Sequence, residues 1–472
     1  MRIYKRPCEP SHPGEPKELA FLETDAISSE MSTDTTQKAF EMLTGEDDGR
    51  VCKDIPENAC QDQPRNFFTH VISLSMTKLA DGLIDPKLVL SWLLTGLGAP
   101  SAIVGLLVPV REAGALLPQL FTAAGLRALP QRKWAWAAGS AVQGLSALAI
   151  ALFSLFLEGV MAGWAILGAL AVLALARSVC SVTYKDVLGK TVSKSKRGTA
   201  TGLASSLSAG VVIVFGVLLV SGVIEKISIV TAAIFFAGGL WLAAGTLFTT
   251  LEEDKGATEG GANSFKVFLE NFSLLKEDGQ LRQFILVRGL LISTALAPPF
   301  MVALASQGSA DTREAFGGLG YLVVASALAA LMSSYVWGRL ADQSSRKVLV
   351  FSGLAGAVAL VLTLVLSGMD LLEKTWALPL VLFGLMIAYQ GVRLGRSTHL
   401  VDMATKENRS AYTALSNTLI GLLLLLGSLF GLVDAVFGTE MVIGVMAGMA
   451  GLAALSALGL KEVQDTDEPV SD

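Results

Sequence analysis

Charge is scarce in this chain. Asp, Glu, Lys and Arg make up 16% of its 472 residues, against about 25% in an average soluble domain. That excludes an ordinary water-soluble globule. The formal net charge of −5 also excludes a nucleic-acid binder built on a basic surface. Histidine occurs three times and cysteine four. Cys8, Cys52, Cys60 and Cys180 form no CxxC pair and no Cys/His cluster, so neither a disulfide framework nor a metal site is expected. Cys52 and Cys60 read as free thiols. No Ser/His/Asp, metal or nucleotide constellation is present, which argues against an enzyme and against a cofactor. The first thirty residues hold no apolar core, so no cleavable signal peptide is expected.

Hydrophobic length is what the chain has instead. Apolar runs of roughly 20 residues, enough to cross a bilayer, recur from Phe67 to Leu460. They are rich in Leu, Ala and Gly and do not alternate, so they predict helices rather than barrel strands. Twelve spans are predicted: Phe67–Leu90, Ser101–Gly125, Trp134–Leu157, Met161–Val182, Gly198–Val220, Ile229–Thr249, Phe284–Ser306, Phe316–Trp337, Val348–Gly368, Trp376–Arg393, Tyr412–Val433 and Met441–Leu460. The chain then divides into an acidic, largely disordered tail (1–66), a six-helix bundle (67–250), a linker (251–282), a second six-helix bundle (283–460) and a short tail (461–472). Residues 1–66 hold 14 acidic and 8 basic side chains, a composition that resists folding. A short helix is expected near Ala39 to Leu43.

Basic residues set the orientation. Alternate loops carry 15 Lys and Arg, the others 3. The rule that basic loops stay inside places the first set, and both termini, in the cytoplasm. The expected setting is an inner or plasma membrane, with a small-molecule substrate and the bilayer as partners, no nucleic acid, and a monomer.

The two bundles repeat each other. Gly338 to Gly353 (GRLADQSSRKVLVFSG) parallels Gly125 to Gly139 (GLRALPQRKWAWAAG). Arg409 to Leu415 (RSAYTAL) parallels Arg197 to Leu203 (RGTATGL) at an offset of about 212 residues.

Charges inside spans are costly, at least ~2.5–3.5 kcal/mol each at the bilayer centre, so they pair or face a wet cavity. Lys78, Asp81 and Asp85 share one helical face of the first span. Arg111 and Glu112 fall in the second span, Arg177 in the fourth and Arg288 in the seventh. Tyr389, Gln390 and Arg393 sit at helical spacing in the tenth. A proton-coupled transporter needs a carboxylate that is alternately buried and hydrated, because burial raises its pKa and hydration lowers it. Asp81 and Glu112 are the candidates. Lys78, Asp85, Arg111, Arg177, Arg288, Tyr389, Gln390 and Arg393 are the candidate substrate contacts. Guanidinium forks suit an anionic or carboxylate-bearing solute. The competing reading makes these charges structural ion pairs, with Lys78 on Asp81, and makes Arg393 a membrane-interface anchor.

Between Trp337 and Lys347 the chain reads WGRLADQSSRK. Gly338, Leu340, Ala341, Asp342, Arg346 and Lys347 resemble the signature loop of the major facilitator superfamily of secondary transporters. The resemblance implies an all-α polytopic membrane protein, twelve transmembrane helices in two pseudo-symmetric six-helix bundles, and transport by rocking one bundle against the other. It implies that helices one, four, seven and ten line the central cavity. It also implies a gate in which Asp342 latches onto a helix start in the other half, here at Gly198 beside Arg197, where partial positive charge favours it. The first half departs from the pattern, with Leu129 and Pro130 where an aspartate is expected. The alternative is a non-transporting sensor or assembly partner on the same fold.

Overall fold

The structure is a computed structural model. It describes residues 36–43, 60–119, 126, 128–221, 226–255, 272–307, 318–372, 374–404 and 409–463, without the side chains of 194, 195, 226, 306, 307, 334, 335, 342, 409 and 410. Every regular element among these residues is helical.

The first half runs α1 (Gln63–Leu83), α2 (Val89–Gly96), α3 (Leu107–Leu116), α4 (Lys133–Phe156), α5 (Gly159–Thr191), α6 (Lys194–Ser221) and α7 (Lys226–Thr249). The second runs α8 (Gly279–Leu290), α9 (Ser293–Gln307), α10 (Leu319–Gln343), α11 (Ser345–Gly368), α12 (Ala377–Met403), α13 (Arg409–Leu426), α14 (Phe430–Phe437) and α15 (Thr439–Ala457). Nine helices among the described residues are long and apolar enough to cross a membrane. Their outward faces carry exposed Leu155, Val214, Leu331 and Leu455, and a surface this apolar requires lipid. The protein is a multi-pass membrane protein.

The first, second and eighth expected spans are not among the nine. In the first, α1 is long enough at 21 residues but too polar, with His70, Lys78 and Asp81 along it. The span then breaks between α1 and α2 at Asp85-Pro86, where Asp85 Oδ1 accepts the N–H groups of Lys87 (2.7 Å) and Leu88 (3.3 Å). Proline forbids a continuous helix there, and the aspartate satisfies the donors that the break exposes. The second is divided at Gly105, and α3 has only ten residues.

α4 packs on α5 and α7, and α1 on α6 and α7; in the second half α11 packs on α12 and α15, and α10 on α12. The halves meet where α6 lies on α10 and where α3 lies on α13. At the first seam a Cβ on Gly320 would stand 2.6 Å from Val220 N and 2.8 Å from Gly216 O, so only glycine permits the approach.

A matched brace closes each half at the end carrying the termini. After α7, the buried Glu253 accepts Arg132 N (3.1 Å) and Lys133 N (2.8 Å) at the start of α4 and pairs with Lys190 at 3.0 Å. After α15, Glu462 accepts the Ser344 hydroxyl at 2.6 Å and faces Arg346 at 3.4 Å at the start of α11. A carboxylate at a helix N-terminus offsets its unpaired N–H groups and its dipole. Glu253→Gln should therefore lower thermal stability. Breaking a buried pair costs about 3–5 kcal/mol, which a melting curve of detergent-solubilised protein will register as a clear drop in Tm. An unchanged melt would mean that Asp186, 3.2 Å from Lys190, compensates fully.

The short helix expected near Ala39 to Leu43 is present, and one tail cysteine differs from expectation. The short helix runs over 36–43, and its Phe40 is buried against Phe67, ring centroids 5.2 Å apart. Cys60 is disulfide-bonded, with its partner outside the described residues. The tail cysteines are therefore not all free.

Candidate functional site

A cavity of about 870 Å³ lies between the halves, lined from α1, α5, α6, α10 and α12. Its wall uses Gly202 to Val212 of α6 and Gln390 to Ser397 of α12, the parts of those helices nearer the chain termini. The opposite end is sealed by the Gly320–Val220 approach and by Gly431, where a Cβ would stand 3.0 Å from Ala102 O.

Lys78, Asp81, Asp85, Arg177, Gln390 and Arg393 all line this cavity. Asp81 is its central carboxylate. One oxygen takes Arg111 at 2.8 Å and the other takes Arg177 at 2.6 Å. Lys78, the sequence-based partner, is not bonded to it. Helical periodicity explains the convergence. Asp81 projects from the face shared with Lys78 and Asp85, and each guanidinium arrives from another helix, α3 or α5.

Glu112 sits behind the wall, 3.8 Å from Lys87. Lys87 Nζ crosses between the halves, donating to the Tyr389 hydroxyl at 3.0 Å and lying 4.3 Å from that ring's centroid. Lys87 is buried. It was not among the expected site residues, although a lysine one residue past an Asp-Pro helix break was visible as a charge with nowhere obvious to go. The serines of α6 and α10 were missed as well, since serine in a membrane helix reads as packing.

Arg288 is placed elsewhere, which corrects its expected substrate contact. It is buried within the second half, donating to Ser416 Oγ (2.7 Å) and Asn417 Oδ1 (2.8 Å) of α13, and is not on the cavity wall. Those two side chains engage both of its terminal nitrogens without a carboxylate, while Nε has no hydrogen-bond partner among the described residues. His70 and His399 are also buried; they bond to Thr191 (2.8 Å) and Ser345 (2.9 Å).

The signature segment is largely helix rather than loop. α10 continues through Gly338 and Asp342 to Gln343, and Ser344 alone turns the chain and caps α11 by accepting Lys347 N at 3.1 Å. Arg-Leu-Ala are good helix formers, so the helix outlasts the apolar run. The side chain of Asp342 is outside the described atoms, so the expected latch contact is too. Arg197 donates to Val192 O (2.8 Å) and Gly189 O (2.7 Å), capping α5 within its own half. Arg346 is held by Glu462 and by Leu460 O at 3.3 Å. At the same end, Asp278 caps α8. Burial pushes its carboxyl up, but the Tyr412 hydroxyl and the N–H groups of Leu281 and Gln280 outweigh that and hold it below the usual carboxylate range. The stability it lends is present above the unfolded pKa and is lost as pH falls through the folded one.

Residues 291–471 match the family model described as Major Facilitator Superfamily. The fold of the described helices is the facilitator fold, over 84–86% of the chain. It is similar to the nucleoside transporter NupG, with 12% identity, 84% of this chain and 98% of that one covered, and a TM-score of 0.62. It is similar to a D-xylose–proton symporter, with 11% identity, 84% and 98% covered, and a TM-score of 0.63. A POT family transporter in complex with a thioalcohol conjugated peptide gives 9% identity, 86% and 98% covered, and a TM-score of 0.65. No curated protein matches the chain by sequence. The family-model match and the facilitator fold support a membrane transporter.

Proposed function

We propose that this protein is a secondary active transporter that moves a small anionic solute by alternating access, coupled to protons through Asp81 and Glu112, with both termini in the cytoplasm. The observation that carries the reading is the Asp81 carboxylate held between Arg111 and Arg177 on the wall of an inter-half cavity. A carboxylate that neutralises two guanidiniums competes with any anion for them. Protonating Asp81 releases both cations to the solute, and loss of that proton expels the solute. Glu112 acts at the joint. Its charge holds Lys87, and Lys87 holds Tyr389 of the other half. Protonating Glu112 removes the anion that positions this bridge, so the halves are freer to rock. Asp342 remains the proposed latch for the opposite state, in which the cytoplasmic mouth is closed.

The test is reconstitution. Protein in proteoliposomes should take up labelled organic anions against their gradient when a pH gradient is imposed, and uptake should collapse with a protonophore. Glu112→Gln should bind solute but lose most of the pH-driven gain. Uptake indifferent to the pH gradient in the wild type would overturn proton coupling, and no flux of any tested solute would favour the sensor reading.

A further inference from the structure

We infer that the cavity takes a hydroxyl-bearing small dianion, its charged group bridging Lys78 of the first half and Arg393 of the second. The inference rests on the transporter reading for its role but on the charge inventory for its chemistry. Three cations line the cavity, Lys78, Arg177 and Arg393, and two more, Lys87 and Arg111, pair with carboxylates at or behind its wall. Three carboxylates face them: Asp81, Asp85 and Glu112. Each carboxylate has its protein partners. Asp81 uses both oxygens on Arg111 and Arg177. Glu112 faces Lys87, and Asp85 caps the start of α2.

Lys78 and Arg393 line the same cavity and make no hydrogen bond or ion pair among the described residues; Arg393 only lies 6.0 Å from the Tyr389 ring centroid. Two like charges share a chamber also walled by Leu88, Val212 and Leu331. Low-dielectric walls make that repulsion costly. An anion from solution relieves it, and one with two charges matches the two unpaired cations. A cation from each half also means that the bound solute itself ties the halves together.

The rest of the wall sets the remainder of the molecule. Ser205, Ser206 and Ser208 of α6, Ser326 of α10 and Ser397 of α12 ring the chamber. Ser205, Ser208 and Ser397 spend their protons on backbone carbonyls, so their oxygens remain acceptors for solute hydroxyls. Trp337, the one aromatic lining the cavity among the described residues, has its N–H committed to Ile387 O at 2.9 Å. Among the described side chains the wall therefore offers hydroxyl partners and no stacking pair, which disfavours a nucleoside.

Purified full-length protein is titrated with sorbitol 6-phosphate, malate, gluconate, sorbitol and uridine, with binding read by calorimetry and melting temperature. The two dianions should bind at least tenfold tighter than gluconate, with sorbitol and uridine weaker still. Lys78→Gln and Arg393→Gln should each weaken dianion binding tenfold or more, and Arg393→Lys should recover part. Neither variant should melt below the wild type without ligand, since each removes an unpaired charge. The phosphate's second ionisation lies near pH 6, so sorbitol 6-phosphate should weaken between pH 7.5 and 5.5 more than malate. That contrast separates a phosphate site from a dicarboxylate site. Equal binding of sorbitol and the dianions, or undiminished dianion binding in both glutamine variants, would overturn the inference. Dianion binding that depends on both cations but never yields flux in proteoliposomes would sink the transporter reading and leave the site standing. Flux of another solute without dianion binding would do the reverse.

Discussion

Asp81→Asn should separate binding from accumulation. Asparagine keeps the shape of aspartate but offers one acceptor, and its NH₂ group faces an arginine that can only donate. Arg111 and Arg177 are then released as they would be by protonation. Solute binding should persist and lose its pH dependence, while pH-driven accumulation should fall at least tenfold because no proton is left to exchange. Removing one partner of a buried pair costs about 3–5 kcal/mol. The three side chains keep 12–28% exposure, so solvent screening reduces this to about 1–3 kcal/mol. The variant should therefore still fold in the membrane. Asp81→Glu is the companion that retains a titrating group and should retain some accumulation. Wild-type pH dependence in Asp81→Asn, at matched expression and melting temperature, would remove Asp81 from the coupling path.

Gly320→Ala should drive the protein out of the conformation described here. Its new methyl would stand 2.6 Å from Val220 N and 2.8 Å from Gly216 O, and both are backbone atoms of α6, with no rotamer to move aside. Overpacking of this kind costs about 1–3 kcal/mol, roughly a five- to hundredfold change in population. The strain falls on the seal between α6 and α10 at the end away from the termini, so that end should open. Spin labels at Glu158 and Asp370, one in each half, should report longer distances, and Gly320→Val should go further the same way. Gly444→Ala is the control, because its nearest neighbour there is the flexible end of Leu364 at 3.8 Å. Distances unchanged in both Gly320 variants would mean that α6 and α10 slide past each other without separating.

The helices and the charge set were legible from the sequence because both rest on local rules. A bilayer demands length and apolarity, and intramembrane charges stand out against that background. Pairing was not legible. Asp81 could be assigned to Lys78 by helical spacing, yet its partners come from α3 and α5, and spacing within one helix says nothing about rotation of the next. Arg288 carried the same sequence signal as Arg177. Only packing distinguishes a guanidinium on the cavity wall from one closed in by Ser416 and Asn417. The break at Asp85-Pro86 was readable from proline chemistry but was hidden inside a run scored as a single span. Lys87 went unassigned with it.

Glu462 sets a practical limit on trimming the protein. It lies beyond the last membrane helix, in a stretch that looks dispensable, yet it supplies the acceptor for the Ser344 hydroxyl and the counter-charge for Arg346. A shortened chain that stops at Leu460 would keep every helix and lose the clasp at the start of α11. A purification handle joined after residue 463 would leave that clasp intact. Where the cut is made thus decides whether the second half is handled with its own fastening or without it.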